Sequence, residues 1–388
     1  MKYSAISLLV LVFSLIFSSC KNDLEVLAPG KESVSVYAII SPTQRTQNVR
    51  INKVYLTDGD AVAAGQDAST INYGPNELRV TLQRFVGGST TPTLTTVGNG
   101  SRKEIVLTET VVTTAPGAFN SSQRLWQTTD KLFGSGDYKL TITNNSTGTT
   151  YTSQTTVIDS VKPFGTQQPM PFLYIPAQPT SQPMHGNYPA IPISTDKPKY
   201  VNYDILTQTY QIKFRSIPNA RLYGVVMRFH YIDSLVGGGT NQDFVDYTFT
   251  NAKSDKLDGG LFVEDGSGIS YFKFTGDEFY KNLGNEMAKK SSANVIKRRS
   301  YYMEYIVTAG SENLSEFLQI NAPSTTIAQD KPLYTNISGG VGVFSSRSTS
   351  VVTKDLWSDF IDKIACHPST NPYRFCNFSG QVSTTVCN

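Results

Sequence analysis

Apolar residues recur at every second position along much of this chain, and that period leaves few architectures open. Val34, Val36, Ala38 and Ile40 alternate with Ser35, Tyr37 and Ile39 before Pro42 ends the run. Val49, Ile51, Lys53 and Tyr55 keep the spacing, and Leu78, Val80 and Leu82 stand opposite Arg79, Thr81 and Gln83. Successive side chains of a strand point to opposite faces, so the pattern predicts strands with one face buried. Ile105-Val106-Leu107 and Val111-Val112 continue it, and Leu125-Trp126 supplies a large core anchor. Residues 137–143 and 150–152 flank Asn144-Asn145-Ser146-Thr147-Gly148, which predicts a hairpin. Strands at this spacing over residues 33–161 predict an immunoglobulin-like β-sandwich.

Nine prolines between Pro163 and Pro198 interrupt the pattern. Each fixes φ and removes a backbone donor, so residues 162–199 form neither a central strand nor a helix. The interspersed Phe172, Leu173, Tyr174 and Ile175 favour an extended connector lying across a neighbouring domain over a free spacer. Beyond it, residues 200–388 read as a β-rich α+β domain with a few helices. Tyr210–Phe214, Leu222–Ile232 and Tyr301–Val307 are strands, the second placing Val225, Met227, Phe229 and Tyr231 on one face. Thr275 and Glu278 form a capping box ahead of a helix whose Phe279, Leu283 and Met287 share a face. Ser311 opens a short helix with Leu314, Phe317 and Leu318 on its apolar side. Thr353 is expected to cap a last helix bearing Leu356, Trp357, Phe360, Ile361 and Ile364, with Asp355 at the positive end of its dipole. The chain is therefore expected to be mainly β.

The first residues bear on location. Met1-Lys2 precedes an apolar run, Leu8–Phe17, too short for a permanent membrane span, so residues 1–19 read as a signal peptide. The run closes on Ser18-Ser19-Cys20, which resembles the lipobox of bacterial lipoproteins, with Cys20 as the lipidated mature N-terminus. Residues 20–32 are then a solvated, lipid-anchored tether. Two or more acyl chains anchor stably, at about 0.8 kcal/mol per buried methylene.

Charge excludes one class of partner. The 34 basic and 31 acidic residues nearly cancel, and the densest basic spots, Lys289-Lys290 and Lys297-Arg298-Arg299, read as a solvated helix end and the strand after it. Nucleic acid is not an expected partner. With Cys20 lipidated, Cys366, Cys376 and Cys387 remain. Turn-forming residues between Cys366 and Cys376 suit a disulfide there, while Cys376 with Cys387 is the alternative; either leaves one thiol over. Adjacent Cys366-His367 is poor chelating geometry and no CxxC occurs, so no metal site is expected.

A catalytic constellation is not legible. His185, His230 and His367 are scattered, and no GxSxG or HExxH motif occurs. Gly339-Gly340-Val341-Gly342 lacks the Lys-Ser/Thr of a phosphate loop and reads as a bulged strand or close backbone approach. Asp58, Asp60 and Asp67 lack EF-hand spacing and read as a solvated loop. Tyr302 and its neighbours, if exposed, would stack on sugars or form an interface. Asp159-Ser160-Val161 and Asp233-Ser234-Leu235 resemble the short O-glycosylation acceptor of Bacteroidota envelope proteins.

Residues 36–42 and 47–56, together with Asn321-Ala322-Pro323-Ser324, residues 329–337 and Gly339 to Arg347, resemble a Bacteroidota lipoprotein family known as domain of unknown function 4249. The resemblance implies an outer-membrane lipoprotein, often found beside TonB-dependent transporters, and supplies no catalytic residues. The expectation is a non-enzymatic outer-membrane lipoprotein without cofactor, facing the cell exterior, serving as accessory or binding subunit of such a transporter or another barrel complex. The alternatives are a glycan- or matrix-binding surface module and an unrecognised hydrolase.

Overall fold

The computed structural model describes residues 33–54, 60–96, 102–115, 117, 120–159, 200–261, 269–322 and 333–382. The expected signal peptide, tether and proline-rich connector lie outside the described residues. Strands dominate. The first half carries β1 (Val34–Ile40), β2 (Gln47–Lys53), β3 (Leu78–Phe85), β4 (Glu104–Val106), β5 (Thr108–Thr113), β6 (Ser122–Thr128), β7 (Asp137–Asn144) and β8 (Thr150–Thr156), with short helices α1 (Ala61–Ala64) and α2 (Ala68–Ile71). The second carries β9 (Tyr200–Val201), β10 (Thr209–Arg215), β11 (Leu222–Leu235), β12 (Thr240–Thr248), β13 (Ala252–Lys253), β14 (Ile269–Thr275), α3 (Gly276–Ala288), β15 (Val295–Gly310), α4 (Glu312–Ile320), β16 (Ile337–Ser338), β17 (Val341–Leu356) and α5 (Ser358–Cys366).

The alternation places side chains as its period predicts. In β1, Val34, Val36, Ala38 and Ile40 are buried while Tyr37 is exposed. Strands β1, β2, β6 and β5 form one layer, and β16, β8, β7, β3 and β4 form the other. Val36, Ile51 and Trp126 from the first layer meet Val80, Leu140, Ile142 and Tyr151 from the second in one core. Burying each such side chain contributes about 1.5–3 kcal/mol. The result is a β-sandwich.

A second core lies on the inner face of β11 and β15. Val225, Met227, Phe229 and Tyr231 pack with Met303, Tyr305 and Val307, and with Phe279, Leu283 and Met287 of α3 and Phe360 and Ile364 of α5. Tyr203 sits among Tyr210, Phe274, Phe279 and Phe360, ring centroids 4.6–5.6 Å away. Its hydroxyl meets that of Tyr305 at 2.5 Å, so neither buried oxygen lacks a partner. The expected capping box of α3 forms: Glu278 N–H donates to Thr275 Oγ1 at 3.2 Å and Thr275 N–H to Glu278 Oε2 at 2.7 Å.

Residues 200–388 are not a self-contained unit. Ile337 and Phe344 belong to the sandwich core. The first half of β17 pairs in parallel with β1, from Ser35–Val341 to Ile40–Ser346, and its second half pairs antiparallel with β15. One ten-stranded sheet therefore runs through both halves of the chain. The glycine run makes this approach feasible. Gly342 has φ +110°, and a Cβ there would stand 2.0 Å from the Val36 carbonyl oxygen, so only glycine fits.

Three local expectations fail. Thr353 and Asp355 lie inside β17, and Trp357 is the residue that precedes α5. Pairing with β15 and with Tyr200 and Val201 of β9 supplies the hydrogen bonds that outweigh an early helix start. Leu318 of α4 is 43% exposed, because the buried stripe of that short helix is Leu314 and Ser315. Arg298, read as part of a solvated strand, is 0% exposed. Its guanidinium bonds Asp233 Oδ1, Ser292 Oγ and the carbonyl oxygens of Ser291 and Tyr373 at 2.8–2.9 Å, and so holds the segment after α5 against β15.

Candidate functional site

The outer face of the β12–β11–β15–β17 sheet collects the side chains that point away from the second core. Register sets them in rows. Val226 and Ile306 neighbour Thr248 and Val351; Arg228 and Glu304 neighbour Asp246 and Thr353; His230 and Tyr302 neighbour Phe244 and Asp355. Arg228 makes two parallel bonds to Asp246, Nε–Oδ1 at 2.8 Å and Nη2–Oδ2 at 3.0 Å, and lies 4.0 Å from the Phe244 ring centroid. The Asp246 hydrogen bond, opposed by burial, raises the already high pKa of Arg228. His230 Nε2 sits 3.0 Å from Glu304 Oε2. Its ring stacks on Tyr302 at 4.3 Å and 22°.

That stacking decides what the tyrosine offers. Tyr302 is half-buried and spends one ring face on His230, as Phe244 spends one on Arg228. The same row carries the Arg228–Asp246 and His230–Glu304 pairs, a mixture of aromatic and charged groups that suits a protein-facing surface.

A cleft of about 330 Å³ opens on the sandwich, lined by Lys53, Ser69, Asn72, Tyr73, Glu77 and Arg124 among others. Strand β2 brings Lys53, β6 brings Arg124, and the turn after α2 brings Asn72 and Tyr73. Asn72 fastens this turn by donating Nδ2–H to the Ser122 carbonyl at 3.0 Å. Lys53 Nζ lies 5.3 Å from the Tyr73 ring centroid and 4.0 Å from Glu77 Oε2. Arg124 pairs with Glu109. Sequence reading missed this site because its residues span several elements; only the mixture of Lys53 and Arg124 with polar turn residues hinted at it.

The expected site residues fall as follows. Cys20 lies outside the described residues, as do His185, Asp58, Ser160 and Cys387. The Cys366–Cys376 disulfide is not formed, because Cys376 is a buried free thiol. The alternative of Cys376 with Cys387 fails for the same reason. Backbone bonding explains it, since Cys376 N–H donates to the Arg298 carbonyl at 2.9 Å and carries its thiol into the interior beside β15. His367 ends α5, buried and stacked on Tyr280 at 4.5 Å, with Nδ1 accepting from Ser369 N–H at 3.1 Å. Burial, with Lys363 nearby, pushes its imidazole below the ordinary value. Asp60 and Asp67 cap α1 and α2. Hydrogen bonds from Ser69 hold the Asp67 carboxyl below its ordinary range. Asp233, in the second glycosylation-like triplet, is engaged by Arg298. Among the described residues no group of three His, Cys, Asp or Glu could hold a metal ion, and no helix is long and apolar enough to cross a membrane.

No family model and no curated protein matches this chain. Among solved structures, it is similar to the C-terminal globular domain of an oligosaccharyltransferase from Pyrococcus abyssi, at 9% identity and a TM-score of 0.23. The match covers 88% of this chain and 54% of that one, so it spans about half of the other molecule. At that TM-score the likeness carries no argument about activity.

Proposed function

We propose that this chain is an outer-membrane lipoprotein, anchored through Cys20 and facing the cell exterior, that acts by binding. Its place is that of an accessory subunit beside a TonB-dependent transporter or another barrel complex, in keeping with the Bacteroidota family its sequence resembles. One observation carries the reading: the apolar run Leu8–Phe17 closing on Ser18-Ser19-Cys20. The outer sheet face supports it, since Arg228, Phe244 and Tyr302 are residue types enriched where proteins meet. Where the histidines are described, they serve packing: His230 contacts Glu304, Tyr302 and Phe244, and His367 contacts Tyr280 and Ser369.

The test is a gentle detergent pull-down of the tagged full chain from its own membrane, with mass spectrometry of the bound proteins and of the chain's N-terminus. The expected result is a mature chain beginning at lipidated Cys20 that recovers a stoichiometric barrel protein, with both features lost in Cys20→Ala. A chain that keeps residues 1–19, or that is always recovered alone, overturns the reading. The second reading, a glycan- or matrix-binding module, gains support from the polar cleft on the sandwich.

A further inference from the structure

One end of the second half gathers three apolar side chains that packing leaves in water. Val236 stands in the turn between β11 and β12, ahead of Gly237-Gly238-Gly239. Strand β15 bulges beside that turn: Ser234 pairs with Lys297 and Leu235 with Val295, so Ile296 between them has no partner and is pushed outward. Phe378 belongs to the turn closed by Gly380 N–H donating to the Asn377 carbonyl at 2.8 Å. All three are more than half exposed. Hydrogen bonds tie the three places together, since Val236 N–H donates to the Asn294 carbonyl at 2.9 Å and Lys297 Nζ to the Gly380 carbonyl at 3.2 Å. Cations crowd the same end. A Cβ added at Gly380 would stand 3.4 Å from Arg299 Nη2 and 3.9 Å from Lys297 Nζ, so two like charges converge over this turn. Arg374 donates to the Val295 carbonyl. Among the described residues none of Lys297, Arg299 and Arg374 makes an ion pair, whereas Lys289 and Lys290 nearby are matched by Glu286 and Asp243. The carboxylate of Asp362 faces the turn and accepts from Phe378 N–H at 2.7 Å.

We propose that this end of the molecule docks on an anionic lipid surface, with Val236, Ile296 and Phe378 entering the headgroup region and Lys297, Arg299 and Arg374 meeting lipid phosphates. Phosphate oxygens accept charge-assisted hydrogen bonds from ammonium and guanidinium groups and relieve the repulsion between cations that no carboxylate separates. Short apolar projections beside long basic side chains match the boundary of a bilayer, where the apolar groups leave water and the cations stay at headgroup level. A soluble acidic polymer would use the cations alone and leave the three apolar side chains wet. A protein partner calls for a continuous packed face, and these side chains stand on a hairpin turn, a bulge and a separate turn. The contact requires neither the lipid on Cys20 nor the barrel partner.

Amide hydrogen exchange of the full chain, read by mass spectrometry, tests it with vesicles of phosphatidylcholine alone and of phosphatidylcholine mixed with phosphatidylglycerol. On the mixed vesicles the amides of residues 235–239, 294–297 and 377–381 are expected to slow about tenfold or more, and on phosphatidylcholine alone to stay unchanged. Lys297→Ala and Arg299→Ala are each expected to weaken docking about fivefold. Phe378→Ser is expected to weaken it as well without moving the melting temperature, because the ring is exposed. The proposal is overturned if these amides exchange at one rate over both kinds of vesicle, if heparin slows them as much as the mixed vesicles do, which identifies an acidic polymer, or if the three variants keep the protection of the parent. The mass of the N-terminal peptide from the same sample reports lipidation separately, so loss of the anchor reading and loss of this one are told apart.

Discussion

Arg298 is the residue whose removal tests the physical account of the second core most directly. Its side chain is 0% exposed and that of Asp233 is 9% exposed, with Nε–Oδ1 at 2.9 Å. Arg298→Met removes this bond together with those to Ser292 Oγ, the Ser291 carbonyl and the Tyr373 carbonyl. It leaves the Asp233 carboxylate, 9% exposed, without this partner. Breaking a buried pair by deleting one partner costs about 3–5 kcal/mol. In a unit of this size that corresponds to a drop of roughly 6–20 °C in melting temperature. Scanning calorimetry and urea unfolding followed by near-ultraviolet circular dichroism provide the measurement. The pH dependence of the loss supplies an internal check. Burial raises the Asp233 pKa above its ordinary value, while Arg298 opposes that shift. A raised folded pKa means stability is greatest below the unfolded value and falls as pH rises through the folded one. Without Arg298 the rise is larger, so the deficit of the variant is expected to shrink as the pH is lowered toward the carboxylate range. Adding Asp233→Leu to Arg298→Met is expected to recover part of the loss. A single variant within about 1 kcal/mol of the parent, with a pH-independent difference, would refute the reasoning.

Gly342→Ala is expected to destabilise the chain by about 2 kcal/mol or more, since it combines a positive φ with a Cβ 2.0 Å from a backbone oxygen. Gly117→Ala, where an added Cβ meets nothing within 4 Å, is the control; equal urea midpoints for the two would contradict the close approach of β17 to β1. His367 is held neutral by burial, its pKa below the ordinary 6.5. Its contribution is therefore fully present above about pH 6.5 and is lost as the pH falls through the lowered folded value. Melting temperatures across this window are expected to fall with pH in the parent and less steeply in His367→Phe, which keeps an aromatic ring against Tyr280; parallel slopes would show that another group governs the acid limb.

What the amino-acid sequence determined by itself was local. Side chains two apart on a strand share a face whatever the strand pairs with, so the buried sets of β1 and β11 were legible before any fold was known. The capping box of Thr275 and Glu278, and the turn at Asn144–Gly148, are likewise written within a few residues. Tertiary structure decided the rest. The parallel seam of β1 with β17 joins residues about three hundred positions apart, as in the bond from Ser33 Oγ to the Gly339 carbonyl at 3.2 Å, and periodicity carries no record of which strand will be the neighbour. Thr353 has the chemistry of a cap, yet it lies in a strand because β15 supplies its backbone partners. Arg298 reads as a surface residue beside Lys297 and Arg299, and became a core residue because Asp233 and two backbone carbonyls converge on it. The same holds for the cleft: Lys53, Glu77 and Arg124 are unremarkable singly. They line one cleft only where β2, β6 and the turn after α2 meet, since a cleft belongs to an arrangement in space and not to any one residue.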